Sequence, residues 1–436
     1  MFAQALSRRL ARRGIHYAWV VAAIAFLTML SSAAALGLPG AFLQPLNHEF
    51  GWSTEQMSSA LAVRFALYGL LGPFAAIFMN WYGLRRMICI ALALIAVGLL
   101  LVSTAMTQLW QLQLLWGLVL GTGSGLTALV LGATVATQWF EQRRGLVLGL
   151  LTASSATGQL IFLPMAAWLI EHVGWRAAIA PAVGLSVLVA VLAMLFMKSR
   201  PEDLGLRPYG AGPAPAPQAG AAGAPVRRSL LEPLAALATA ARSGTFWVLA
   251  GTFFVCGLST GGLIQTHFIS LCGDYGLGPV PAASVLAMIG AFDFIGTIAS
   301  GWLSDRFDNR RLLFWYYGLR GLSLMWLPHS DFSLYGLSFF AMFYGLDWVA
   351  TVPPTAKLTT ATFDKARGPM IFGWIFAAHQ LGSAAAAYGA GLTRTIMMSY
   401  SPAIYAAGLA CLLAALSVFL VRPRAVLAPA RPAAQS

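Results

Sequence analysis

The chain returns repeatedly to apolar runs of about 20 residues or more, and a helix of that length spans roughly 30 Å of hydrocarbon. About twelve such runs can be drawn between breaks at glycine, proline or charge clusters. In the first half they cover 16–43, 56–79, 86–105, 109–137, 145–170 and 176–197. In the second half they cover 246–271, 281–303, 310–328, 333–356, 369–393 and 401–421. Continuous runs of this length predict helices, because a membrane barrel would show alternating segments of about ten residues. The expected fold class is therefore an all-α polytopic membrane protein of twelve transmembrane helices in two six-helix halves.

Composition excludes a water-soluble globule. Over 436 residues, 59% are hydrophobic and 9% are charged, against about 25% charged in soluble domains. The net charge of +13 would suit nucleic acid, but its distribution argues against such a role. With the N-terminus placed in the cytoplasm, 23 of the 27 Lys and Arg fall on inside segments, as the positive-inside rule requires. The basicity thus records topology, with both termini cytoplasmic. A cleavable signal peptide ending near Ala33-Ala34-Ala35 is disfavoured, since the apolar character continues to Phe42. Cys89, Cys256, Cys272 and Cys411 lack metal-ligand spacing and read as packing residues.

Between Arg200 and Arg228 the chain turns to Pro, Ala and Gly, which predicts a flexible linker. Leu230, Leu231, Leu234 and Leu237 follow with polar residues between them, as in a helix lying on the inner membrane surface. The expected organisation is a cytoplasmic N-terminus (1–15), a first half (16–198), a linker with its amphipathic helix (199–245), a second half (246–421) and a cytoplasmic tail (422–436).

The halves repeat. Asn80 aligns with Asp305 and Arg86 with Arg311 at an offset of 225. Gly149 aligns with Gly373 and Gly158 with Gly382 at 224, and Arg143-Arg144-Gly145 is mirrored by Lys365, Arg367 and Gly368. Duplicated carriers bind substrate near the midplane between the repeats and rock one against the other.

Two basic loops carry a family likeness. NWYGLRR contains Asn80, Gly83, Arg85 and Arg86; the segment from Gly301 reads G-x-L-S-D-R and continues through Asp305, Arg306, Arg310 and Arg311. This resembles the gating loop between helices 2 and 3, repeated between 8 and 9, of the major facilitator superfamily. WFEQRRGLVLGLLTASSATGQLIFLP from Trp139, Asp293 in the eighth run and RPEDLGLRPYG from Arg200 are similar to the monocarboxylate transporter group and its bacterial relatives, including oxalate/formate exchangers. The chain departs from that group in places. Thr297 stands where an arginine often follows the aspartate, with Arg320 a possible substitute; the opening His16-Tyr17-Ala18-Trp19 lacks the acidic signature of animal members; and Gly117 replaces an arginine of many proton-coupled carriers. Asn80 replaces the first loop's acid, so that loop has lost its ion-pair latch, whereas Asp305 can lock against a neighbouring helix end.

Four ionisable residues fall inside predicted spans: Arg64, Asp293, Arg320 and Asp347. Each costs about 2.5 to 3.5 kcal/mol at a helix centre, so they must pair or face water. Asp293 and Arg320 lie about 15 to 20 Å from the Asp305 loop at 1.5 Å per residue. Equal depth predicts that these two pair, as a structural bridge or as one that opens for a proton or an anion. Arg64 either snorkels outward or faces a cavity as an anion contact. Asp347 precedes Pro353-Pro354, which must interrupt the helix, and broken helices at membrane depth line cavities.

Thr152, Ser155 and Gln159, with His379, Gln380 and Ser383 at matching heights, either line the cavity or bind helices together. His267 either titrates near neutrality or holds a backbone partner. Gly117, Gly121 and Gly125 form a small-residue stripe for close helix packing. The resulting expectation is a bacterial inner-membrane carrier, not an enzyme, moving a small organic anion by proton symport or exchange, as a functional monomer in the lipid bilayer. It would use no cofactor, metal or nucleic acid. The rival expectations are efflux of cationic or amphipathic compounds through Asp293 and Asp347, and a sensor or scaffold without turnover.

Overall fold

In the computed structural model, residues 2–127, 129–212, 229–363 and 367–422 are described, without the side chains of 129, 155, 156, 159 and 160. The chain opens with an amphipathic helix, α1 (Phe2–Ala11). Helices α2 (Ala18–Gly37) and α3 (Pro39–Phe50) then run almost continuously, with Pro39 in the first turn of α3, where its missing N–H is harmless. A Ser53–Gln56 capping box starts α4 (Thr54–Tyr82), and Gly83 at φ 82° turns the chain into α5 (Leu84–Thr104). Next come α6 (Leu109–Leu112), a π-helical stretch Gln113–Val119, α7 (Leu120–Leu126) and α8 (Leu129–Trp139). The half closes with α9 (Arg144–Val173), α10 (Trp175–Ala178) and α11 (Ala180–Phe196).

Helix α12 (Glu232–Ala240) precedes the second half, which opens with α13 (Gly244–Gly257), a π-helical stretch Leu258–Gln265 and α14 (Thr266–Asp274). There follow α15 (Pro279–Ser304), α16 (Asn309–Trp326), α17 (Leu334–Asp347), α18 (Val352–Phe363), α19 (Gly368–Met397) and α20 (Ser401–Ser417). Among the described residues, nine helical stretches are long and apolar enough to cross a membrane. The other three predicted runs are helical too: 145–170 lies in α9, 310–328 in α16 and its following turn, and 333–356 is divided between α17 and α18.

The two halves share one packing plan. In the first, α2 packs on α9, α4 on α7 and α5 on α11; in the second, α13 packs on α19, α15 on α17 and α16 on α20. The repeated glycines explain part of this. A Cβ at Gly158 would come within 2.8 Å of Ala33 on α2, and one at Gly382 within 1.9 Å of the Phe254 carbonyl on α13. Each glycine therefore seats the fifth element of its half on the first. The stripe Gly117, Gly121 and Gly125 does the same for the fourth span against Val63, Arg64 and Leu71 of α4.

Across the halves, α4 lies along α19, α9 along α15 and α3 against α14. Tyr68 meets Phe376 and Phe74 meets Trp374 with ring centroids 5.9 Å apart. At the end away from the basic loops, Tyr388 donates to Glu55 Oε1 at 2.9 Å and the Glu55 N–H donates to Thr395 Oγ1 at 3.2 Å.

The segment after Arg200 corrects the expected linker. Its start is not free chain: the Tyr209 N–H donates to the Trp139 carbonyl at 2.8 Å, and the Glu141 N–H returns to the Tyr209 carbonyl at 2.9 Å. The Tyr209 ring sits against His16, Trp19 and Phe140. The Pro/Ala/Gly core of the linker, 213–228, lies outside the described residues, as does Lys365. In α12, Pro233, Ala236 and Ala240 are buried, while Leu230, Leu231 and Leu234 just before and within it are exposed.

Candidate functional site

The buried charges separate into two environments. Arg320 on α16 is 1% exposed and fully engaged. Its Nε donates to Asp347 Oδ2 at 2.7 Å, and its Nη2 to the carbonyls of Asp347 at 2.6 Å and Trp348 at 3.2 Å. Its Nη1 reaches Cys256 Sγ at 3.0 Å and Ser259 Oγ at 3.4 Å. The expected Asp293–Arg320 pair is thus corrected: the partner of Arg320 is Asp347. Counting residues from the Asp305 loop fixed height but not direction around the helix, and the two charges face different neighbours. Asp293 Oδ1 instead accepts from Thr297 Oγ1 at 3.0 Å, one turn on, and from the Val349 N–H at 2.9 Å.

Arg64 on α4 is equally buried, at 1% exposure, which rules out snorkelling in this conformation. Its guanidinium carbon lies 4.9 Å from the Phe65 ring centroid, a cation–π contact. Its Nε and Nη1 have no hydrogen-bond partner among the described residues. Glu49 and Glu55, the acids of the outer loop next to its helix, are used elsewhere: Glu49 by Arg176 at 2.6 Å and by Trp175, and Glu55 by Tyr388. Ser58 Oγ on the same helix, with Trp116 Nε1 and Ser124 Oγ on the fourth span packed against it, are also buried without partners. Such atoms are rare in folded chains. Among the described residues the second half has its own, at Ser270 Oγ, Tyr317 OH and Asp347 Oδ1. Tyr68, one turn from Arg64, meets Phe376 of the other half.

The remaining predicted residues divide between packing and interface. Gln380 is buried, and a Cβ at Gly69 of the first half would fall 2.5 Å from its own Cβ. His379 is half-buried, with its ring between Phe253 and Phe376 and Nδ1 unpartnered. His267 Nε2 contacts the Ala387 carbonyl at 2.9 Å, the backbone role weighed for it. Ser383 Oγ donates to the Gly257 carbonyl and Thr152 Oγ1 to its own helix, so both bind helices together. Gln159 lies outside the residues whose side chains are described.

At the basic loops, Lys357 of α18 forms an ion pair with Asp305, and this neighbour holds the Asp305 carboxyl below its usual range. Asp308 caps α16 by accepting the Arg310 N–H at 2.8 Å and pairs with the Arg310 side chain. The Arg306 guanidinium stacks 4.1 Å over Trp302. Asn80, Arg85 and Arg86 are exposed, and Gly83 packs near Ser199. Among the described residues no three His, Cys, Asp or Glu side chains gather where a metal could sit. A cavity of 310 Å³ between α16 and α17 is lined by Leu322, Ser323, Trp326, Phe339, Phe340 and Phe343, with no ionisable group.

Sequence reasoning missed the Asp347 and Trp348 carbonyls and the Val349 N–H as partners of the buried charges. The signal was Pro353-Pro354, which marks a break but not what fills it.

The sequence profile of the Major Facilitator Superfamily matches residues 21–387. Monocarboxylate transporter 13 of Bos taurus is 27% identical, over 93% of this chain and 89% of that protein. An uncharacterized MFS-type transporter of Bacillus subtilis (strain 168), YcxA, is 23% identical over 80% and 82% respectively. Among solved structures, a D-xylose-proton symporter superposes with a TM-score of 0.71 at 14% identity, over 93% of this chain and 98% of that one; at that identity the likeness concerns the fold alone.

Proposed function

Since the chain belongs to the Major Facilitator Superfamily and is a multi-pass membrane transporter, we propose that it is a secondary active carrier of a small organic anion, in the first place a monocarboxylate. The observation that carries this reading is Arg64: a buried guanidinium on α4, the helix that packs along α19 of the other half, with two donors unpartnered among the described residues. A buried cation without a partner is costly, and a carboxylate fits its planar fork of donors. The names of the monocarboxylate transporters among its relatives agree with that chemistry.

The carrier works in the inner membrane of a bacterium with its basic loops in the cytoplasm, as a monomer, by proton symport or by exchange. The halves rock about the α4–α19 and α9–α15 contacts. Arg320, with every nitrogen engaged, supports the second half from within and is no longer assigned to the anion. The cation-efflux reading has less support, because Asp347 Oδ2 is paired with Arg320 and Asp293 Oδ1 accepts from Thr297 and Val349.

Purified protein in proteoliposomes, offered lactate, pyruvate, formate and oxalate alongside tetraphenylphosphonium, with and without a pH gradient, tests the reading. Saturable uptake of a carboxylate supports it. Flux of the lipophilic cation alone, or no flux of any solute, contradicts it.

A further inference from the structure

The tenth span is broken, and buried Arg320 and Asp293 both reach into the break. Helix α17 stops at Asp347 and α18 starts at Val352. A helix leaves its last carbonyls and first N–H groups unpaired, with partial negative charge at the former and partial positive charge at the latter. The cation Arg320 donates to the carbonyls of Asp347 and Trp348 at the end of α17. Asp293 accepts the Val349 N–H, which follows Trp348 at the end of α17 and lies inside the break. Pro353 and Pro354 have no N–H to return to the carbonyls of 349 and 350. Those carbonyls are served otherwise, Val349 by the Val352 N–H at 2.9 Å and Ala350 by Ser300 Oγ at 2.6 Å. Thr351 Oγ1 completes the segment against Cys256 Sγ at 3.3 Å.

We propose that Arg320 and Asp293 together hold the tenth span open at 348–351, Arg320 by donating to the last carbonyls of α17 and Asp293, a positioning residue, by accepting the Val349 N–H within the break. Arg320 steadies the end of α17 from α16. Asp293 and Ser300 steady the backbone of 349 and 350 from α15, the helix that packs on α9 of the other half. The break is therefore tied to the surface along which the halves move. This assignment does not depend on which solute is carried, and it needs no proton on Asp293.

The test is substrate-free. Full-length protein in lipid nanodiscs is compared by hydrogen–deuterium exchange as wild type, Asp293→Asn and Asp293→Ala. The asparagine amide oxygen still accepts the Val349 N–H, whereas alanine removes the acceptor. Exchange of peptides covering 348–352 should rise by at least about tenfold in Asp293→Ala and stay within about threefold of wild type in Asp293→Asn. Peptides in α9 and α13 should be unchanged in both, which a general loss of stability would not give.

Peptide-resolved maleimide labelling of Cys256 should follow the same order, since its sulfur lies between Arg320 and Thr351. Exchange in Asp293→Asn as fast as in Asp293→Ala, or no change in Asp293→Ala, overturns the proposal. If Asp293→Ala does not reach the membrane, Asp293→Ser, polar but too short to reach Val349, takes its place with the same expected order.

Discussion

Arg320 and Asp347 form a salt bridge of 2.7 Å between side chains 0% and 8% exposed, joining α16 to the end of α17 inside the second half. Breaking such a pair from one side leaves an uncompensated buried charge, which costs about 3 to 5 kcal/mol. Arg320→Ala and Asp347→Ala should each lower the thermal midpoint strongly. The double variant Arg320→Met with Asp347→Leu should cost less than either alone, because no lone charge remains. Scanning unfolding in detergent micelles reads this. Additive losses, or a better rescue of Arg320→Ala by Asp293→Asn than by Asp347→Asn, would speak for a different partner.

Gly69 and Gly72 offer a matched pair on α4. A Cβ at Gly69 would lie 2.5 Å from Gln380 Cβ across the interface, while one at Gly72 meets nothing within 4 Å. Gly72→Ala should stabilise by about 0.5 to 1 kcal/mol through the unfolded state. Gly69→Ala should destabilise by about 1 to 3 kcal/mol through overpacking and slow transport. Equal effects of the two substitutions would mean that α4 and α19 are not in close contact in the membrane.

Much of the architecture is legible in the sequence, and the pairing inside it is not. Apolar length gives the helices, and of the two glycine pairs at the 224-residue offset Gly158 and Gly382 fill the same packing role in each half, whereas a Cβ at Gly149 would meet nothing within 4 Å. The assignment of Arg320 to Asp293 failed because depth along a helix is a one-dimensional quantity. The break before Pro353 lets backbone N–H groups and carbonyls compete for charges that otherwise have only side chains to meet. Tyr209 shows the reverse: with Leu204, Leu206 and a pair of backbone hydrogen bonds it docks the first part of a segment whose composition predicts free chain.

The Asp305–Lys357 latch should show a defined pH window. Lys357 lowers the Asp305 carboxyl pKa in the folded state. The contribution of the pair is therefore full above the ordinary aspartate value of about 3.9, and is lost as pH falls through the lowered folded value. Between about pH 5 and 8 the latch should not respond to pH, but it should weaken with salt because both groups are largely exposed. The single reversal Asp305→Lys should impair transport, and the swap Asp305→Lys with Lys357→Asp should recover part of it. A swap no better than the single reversal would dismiss the pair as a latch.

Arg64 carries the functional reading, and its substitution separates that reading from a structural role. Because Nε and Nη1 have no partner to lose, Arg64→Leu should leave the thermal midpoint unchanged or raised, in contrast to Arg320→Leu. The decisive measurement is uptake of radiolabelled carboxylates into proteoliposomes by wild type, Arg64→Lys and Arg64→Leu at equal reconstituted protein. Wild type should show saturable uptake, Arg64→Lys, which keeps the charge without the planar fork, a raised KM, and the stable Arg64→Leu none. Undiminished carboxylate uptake by Arg64→Leu would contradict that reading.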